Sequence, residues 1–155
     1  MSSFFEIETA RDLFNVLDSK FNKYCERQQK DAEDILLVLL ITNHLREWIA
    51  PEYGPKHDRS WPLAVTPEEE FSRKIFEHPN FATIRKLCNG SKHASKGPET
   101  DIKYNAYMST WSNVSAVKHM SKGVPVTHFV DGESIEDVAE PLIEMYRGWF
   151  SDSKH

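Results

Sequence analysis

The sequence predicts a mainly α fold, a bundle of about five helices with a small antiparallel β hairpin or meander ahead of the C-terminal helix. Three observations predict it. Apolar residues recur at the helical interval from Ala10 to Tyr24, helix-start signals recur at Asp31, Thr66 and Ser134, and the period becomes alternating only between Ile102 and Phe129.

In the first helix Ala10, Leu13, Phe14, Leu17, Phe21 and Tyr24 share one face, while Arg11, Asp12, Asp18, Lys20 and Lys23 occupy the other. Asp31 stands where an N-cap belongs. Glu33 and Asp34 follow it, placing carboxylates at the positive end of the helix dipole, and the second helix is expected to run to Trp48 or Ile49 before Pro51. Its apolar run, Ile35 to Ile41, is far shorter than the roughly 20 residues that a membrane span needs.

Residues 51–66 carry Pro51, Pro55, Pro62 and Gly54 without a period, which predicts a loop, with Trp61 pinned to the core. Thr66, Pro67 and Glu69 then form a capping-box start for a short third helix ending near His78 and Pro79. Asn80 is the expected cap of a fourth helix that runs to Lys96, where Gly97 and Pro98 end it. Helices one, two and four are expected to supply most of the core.

Ile102, Tyr104, Ala106 and Met108 alternate with polar neighbours, as do Val124, Val126 and His128, which predicts two strands. Pro125 cannot donate to a ladder and suggests an edge position for the second of them. Asp131-Gly132 marks a turn. Ser134 caps a last helix that buries Leu142, Met145, Trp149 and Phe150, with Pro141 near its start or as a kink.

A chain of 155 residues with 39% hydrophobic and 28% charged residues suits one globular domain spanning 1–155, not a disordered or fibrous chain. The net charge of −5 argues against a globally basic nucleic-acid binder but leaves room for a local basic stripe. Cys25 and Cys88 lack CxxC spacing and the N-terminal stretch lacks the pattern of a secretory signal, so a cytoplasmic setting with free thiols is expected.

The fourth helix is where chemistry concentrates. At 100° per residue, Ile84, Leu87, Cys88, Ser91 and Ser95 share one side, while Arg85, Asn89, Lys92, His93 and Lys96 form a polar stripe on the other. Asn89, Gly90 and Ser91 disfavour a helix interior, which suggests a close neighbour along the small residues, whether a second copy, an RNA or another protein. His44 shares a face with Leu37, Leu40, Ile41 and Trp48, which predicts a buried, hydrogen-bonded imidazole; Asn43 and Glu47 lie one helical turn apart beside it. No Glu-x-x-His or i, i+4 histidine pair occurs, and the glycines form no phosphate-binding string, so no metal or nucleotide cofactor is expected. Cys88, on the apolar side, is expected to be an inert thiol.

The strings "NHLREW" (43–48) and "LCNGSKH" (87–93), within an all-helical plan, resemble the HEPN superfamily and small bacterial and phage helical proteins. The HEPN signature is an arginine, a polar residue, and a histidine a few positions on. The resemblance implies a homodimer and, in active members, a metal-independent ribonuclease. There His93 would relay the 2′-hydroxyl proton while an arginine stabilises charge on phosphate, with Asn89 between them. This sequence departs from the signature at Cys88, which stands where the arginine belongs, and Arg85 lies further from His93 than the family spacing.

Three readings follow. The leading one is a non-catalytic HEPN-like interaction module, a homodimer that binds a second copy, RNA or protein through Arg85, Asn89, Gly90, Lys92, His93 and Lys96. The second is a ribonuclease of toxin or defence type using His93 and Arg85. The third is a purely structural domain in which Asn89 and His93 tie down residues 51–66.

Overall fold

The computed structural model describes residues 6–28, 30–93, 100–104 and 126–152, with the backbone alone at residues 91–93, 100–104, 126 and 127. Among the described residues five helices carry the fold: α1 (Ala10–Glu26), α2 (Ala32–Ile49), α3 (Pro67–Glu77), α4 (Pro79–His93) and α5 (Ile135–Ser151). Between α4 and α5 lie β1 (Thr100–Tyr104), β2 (Val126–Val130) and β3 (Glu133–Ser134), an antiparallel sheet of order β1-β2-β3. The fold class is the one the sequence predicts.

Most helix starts obey their local chemistry. Thr9 and Asp12 form a capping box on α1, Asp31 accepts from the Glu33 amide at 3.0 Å on α2, and Thr66 and Glu69 form a capping box on α3. Ser134 accepts from the Asp137 amide at 3.1 Å to start α5, which continues through Pro141. Helix α4 differs from expectation. His78 supplies the cap, its Nδ1 accepting from the Asn80 amide at 3.2 Å, and Pro79 opens the helix. Asn80 is thereby released to donate through its side chain to the Val138 carbonyl at 3.1 Å, which links α4 to α5. Residues 94–96, the expected end of this helix, lie outside the described residues.

The sheet corrects one expectation and confirms another. Among the described residues strand β2 is central and not an edge, because β1 pairs with it on one side and β3 on the other. Ala106, Met108, Val124 and Pro125 fall outside the described residues. At the β2–β3 turn, Asp131 (φ 48°) and Gly132 (φ 85°) both adopt left-handed conformations, the type I′ geometry that matches strand twist, with Val130 opposite Glu133.

Helix α2 touches the four other helices. Its Val38, Leu39 and Leu45 meet Leu17, Phe21 and Tyr24 of α1, Ile75 of α3, Phe81 and Ile84 of α4, and Val138, Leu142, Ile143 and Tyr146 of α5 in one contiguous core. Among the described residues the C-terminal helix therefore contributes more to the core than α4 does, which reverses the expected ranking. Its hydroxyl and guanidinium groups also fix its position: Tyr146 Oη donates to the Thr42 carbonyl at 3.1 Å, and Arg147 donates to Asp18 at 2.7 Å and to Asn22 at 2.8 Å on α1. As expected, Trp61 is pinned, lying edge-on to Phe76 at 5.0 Å and against Tyr53 at 5.4 Å; Tyr53 Oη closes the loop by donating to the Pro62 carbonyl at 3.0 Å. No helix among the described residues is long and apolar enough to cross a membrane.

Candidate functional site

Helix α4 presents two faces. Phe81, Ile84 and Cys88 are buried, whereas Arg85 and Asn89 are exposed and Gly90 is half-buried. The Cys88 thiol donates to the Leu39 carbonyl at 3.4 Å, and burial pushes its pKa up to about 11, so it is an inert thiol facing the core. Lys92 and His93 complete the helix, but their side chains, like all of Lys96, lie outside the described residues. The predicted stripe is thus visible at Arg85 and Asn89.

Arg85 does not reach along the helix towards His93. Its guanidinium carbon stacks 4.7 Å from the ring centroid of Phe76 on α3, at the end of α4 where the chain enters. Eight residues at about 1.5 Å per residue put the His93 backbone roughly 12 Å further along the axis. A ring face attracts a cation through its quadrupole, so Phe76 gives Arg85 a fixed berth.

A second arginine shares that ring, one that the sequence reasoning missed. Arg46 on α2 is only 8% exposed, with its guanidinium carbon 5.1 Å from Phe76 and 5.7 Å from Phe81. Its partners are distant: Nη1 donates to the Tyr53 carbonyl at 3.5 Å and to Ser72 Oγ at 3.4 Å, and Nη2 to Glu47 Oε1 at 3.3 Å. Its Nε is buried without a hydrogen-bond partner among the described residues. Burial lowers its pKa, opposed by the carboxylate of Glu47. The signal was present in the sequence, because Ile35, Val38, Leu39, Thr42, Leu45, Arg46 and Ile49 all follow one 3.6-residue stripe, and all are buried.

His44 is a correction in the other direction. It is exposed, not buried, and its Nδ1 lies 3.5 Å from Glu47, itself half-exposed. The face it shares with Leu37 and Trp48 points away from the core: Leu36 is 41%, Leu37 37% and Trp48 44% exposed. Helix α2 is apolar on nearly every side, so its periodicity does not say which side is covered. Asn43 and Glu47 make no mutual hydrogen bond; Glu47 instead faces Arg46 and His44.

A further polar junction ties the sheet to the bundle. Tyr24 at the end of α1 is buried, and its hydroxyl lies 2.8 Å from His128 Nδ1 on β2. Lys30 Nζ sits 4.7 Å from the Tyr24 ring, donates to the Tyr24 carbonyl at 3.1 Å and pairs with Glu136 on α5. Burial, then the charge of Lys30, holds the His128 pKa below its usual 6.5, against the opposing carboxylates of Asp31 and Glu136. The unfolded chain takes up that proton first as pH falls, so this contribution to stability is complete above pH 6.5 and is lost below it. Denaturant titrations at pH 7.5 and 5.5 are expected to show a larger acid-side loss for the parent than for His128→Gln; equal losses would remove the linkage.

Among the described residues, no three His, Cys, Asp or Glu side chains converge as a metal site would require. Fold and site together define a helical domain whose distinctive chemistry is a basic and aromatic junction of α2, α3 and α4. No protein-family model, curated protein or solved structure matches the chain.

Proposed function

We propose that this chain is a HEPN-like interaction module, non-catalytic and homodimeric, that engages RNA through the outer face of α4. The observation that carries the reading is the placement of Arg85. Its guanidinium is exposed and berthed on Phe76, roughly 12 Å along the axis from His93, an arrangement suited to contacting a phosphate rather than to sharing one scissile centre with that histidine. Lys86 and Asn89, both exposed, extend the same outward surface.

The homodimer rests on a different feature, the uncovered apolar side of α2 formed by Leu36, Leu37 and Trp48. Cysteines such as the exposed Cys25 and the buried Cys88 suit a reducing cytoplasm, where a toxin–antitoxin or defence role would place an RNA-contacting partner.

The test is to mix the full chain with single-stranded and hairpin RNA and follow both retention and integrity. Salt-sensitive binding without cleavage is expected, with Arg85→Glu weakening binding by about tenfold or more, as loss and reversal of one phosphate contact would. RNA cleavage by the parent that His93→Ala abolishes would replace this reading with the ribonuclease. Sedimentation is expected to give a dimer that Trp48→Glu dissociates, and a monodisperse parent monomer would defeat the homodimer.

A further inference from the structure

The structure assigns to Arg46 and Arg85 a binding site for a phosphate oxyanion, free or in a nucleic-acid backbone, with Glu47 as the intramolecular occupant that the ligand displaces. The inference rests on the reading that this side of the molecule meets phosphate, and it goes further by naming the group that receives it.

The buried arginine is poorly served by its own chain. Its three hydrogen bonds, at 3.3 to 3.5 Å, are all longer than the about 2.7–2.9 Å of a charge-assisted bond, and its Nε–H has no partner among the described residues. A buried charge in that condition is expensive unless something completes its shell. A second cation shares its ring, since both guanidinium carbons lie within 5.1 Å of the Phe76 centroid. Two like charges gathered on one ring repel each other, and the only carboxylate paired with either among the described residues is Glu47.

Glu47 also shows that the site can be reached. Its side chain is 52% exposed, yet its Oε1 contacts Arg46 Nη2, so an oxyanion arriving from solvent meets that edge of the guanidinium without entering the core. The bond is loose, and the same carboxylate lies 3.5 Å from His44, which offers it an alternative partner once displaced. A tetrahedral phosphate has more acceptor oxygens than a carboxylate. It can accept from Arg46 Nη2 and from the exposed Arg85 together, with Ser72 Oγ and the Phe76 ring holding Arg46 in place behind them.

The experiment follows the Arg46 Nε–Hε resonance of the full chain by NMR, identified by its disappearance in Arg46→Met. The protein is titrated with inorganic phosphate, with chloride at matched ionic strength, and with a short single-stranded RNA. A saturable shift with phosphate and none with chloride is expected. Arg85→Gln should weaken phosphate binding about tenfold, and Glu47→Gln, which removes the competing carboxylate, should tighten it about three- to tenfold. Both substitutions are at exposed positions and leave the core intact.

No saturable phosphate shift, an equal shift with chloride, or unchanged affinity in both variants would overturn the site. RNA binding that leaves the Arg46 resonance unmoved would also overturn it while the interaction module stood. A phosphate response with no RNA binding would support the site and sink the RNA reading.

Discussion

Replacing Arg46 with alanine is expected to cost the fold about 2–4 kcal/mol, whereas replacing it with methionine should change stability by less than about 1.5 kcal/mol. The two variants remove the same charge but not the same volume. Alanine leaves a gap beside the paired rings of Phe76 and Phe81 and strips both of the flat group packed on them. Methionine fills most of that space, and exchanging an under-bonded buried ion for an apolar chain is often neutral or stabilising. Urea titration of both variants reads the difference as a shift in midpoint at constant slope. Methionine as damaging as alanine would mean that the charge itself holds the junction together; a folded Arg46→Met protein that no longer binds phosphate would mean that the charge is kept for binding.

Leu142→Ala is the second large effect, expected at about 2–5 kcal/mol. Leu142 is fully buried on α5, in the layer where that helix meets α2 and α4. Truncation removes several methyl and methylene groups from a site walled by helices that cannot all collapse inward. Asn89→Ala, on the exposed face of α4, should by contrast change stability by no more than about 0.5 kcal/mol. The contrast separates a residue that the fold needs from one that a partner needs. A loss at Asn89 matching that at Leu142 would instead favour the purely structural reading of α4.

Much of the fold was legible because its signals are local. Thr66, Pro67 and Glu69 carry a helix start in adjacent residues, and Asp131-Gly132 carries a turn in two; neither depends on what packs against it. The cap of α4 was misread because its local signal is ambiguous. His78 and Asn80 both can accept an amide, and only the presence of α5, whose Val138 carbonyl takes the Asn80 side chain, leaves the cap to His78.

The candidate site was half legible. The outward placement of Arg85 and Asn89 followed from the period of Ile84, Leu87 and Cys88 on the opposite side. The orientation of α2 did not follow, because an all-round apolar helix offers two plausible inner faces, and the chosen one buried His44 where the structure buries Arg46.

The sequence by itself determined which segments are helices, where most of them start, that the chain turns to strands before its last helix, and which face of α4 is wet. Those properties reside in contacts a few residues apart and in periodicity. Tertiary structure alone decided that Arg46 packs on both Phe76 and Phe81, that Arg85 lies on the first of those rings, and that His128 meets Tyr24 across 104 positions of chain. A one-dimensional pattern records how apolar a face is but not what covers it, and at this junction the covering surfaces come from three different helices.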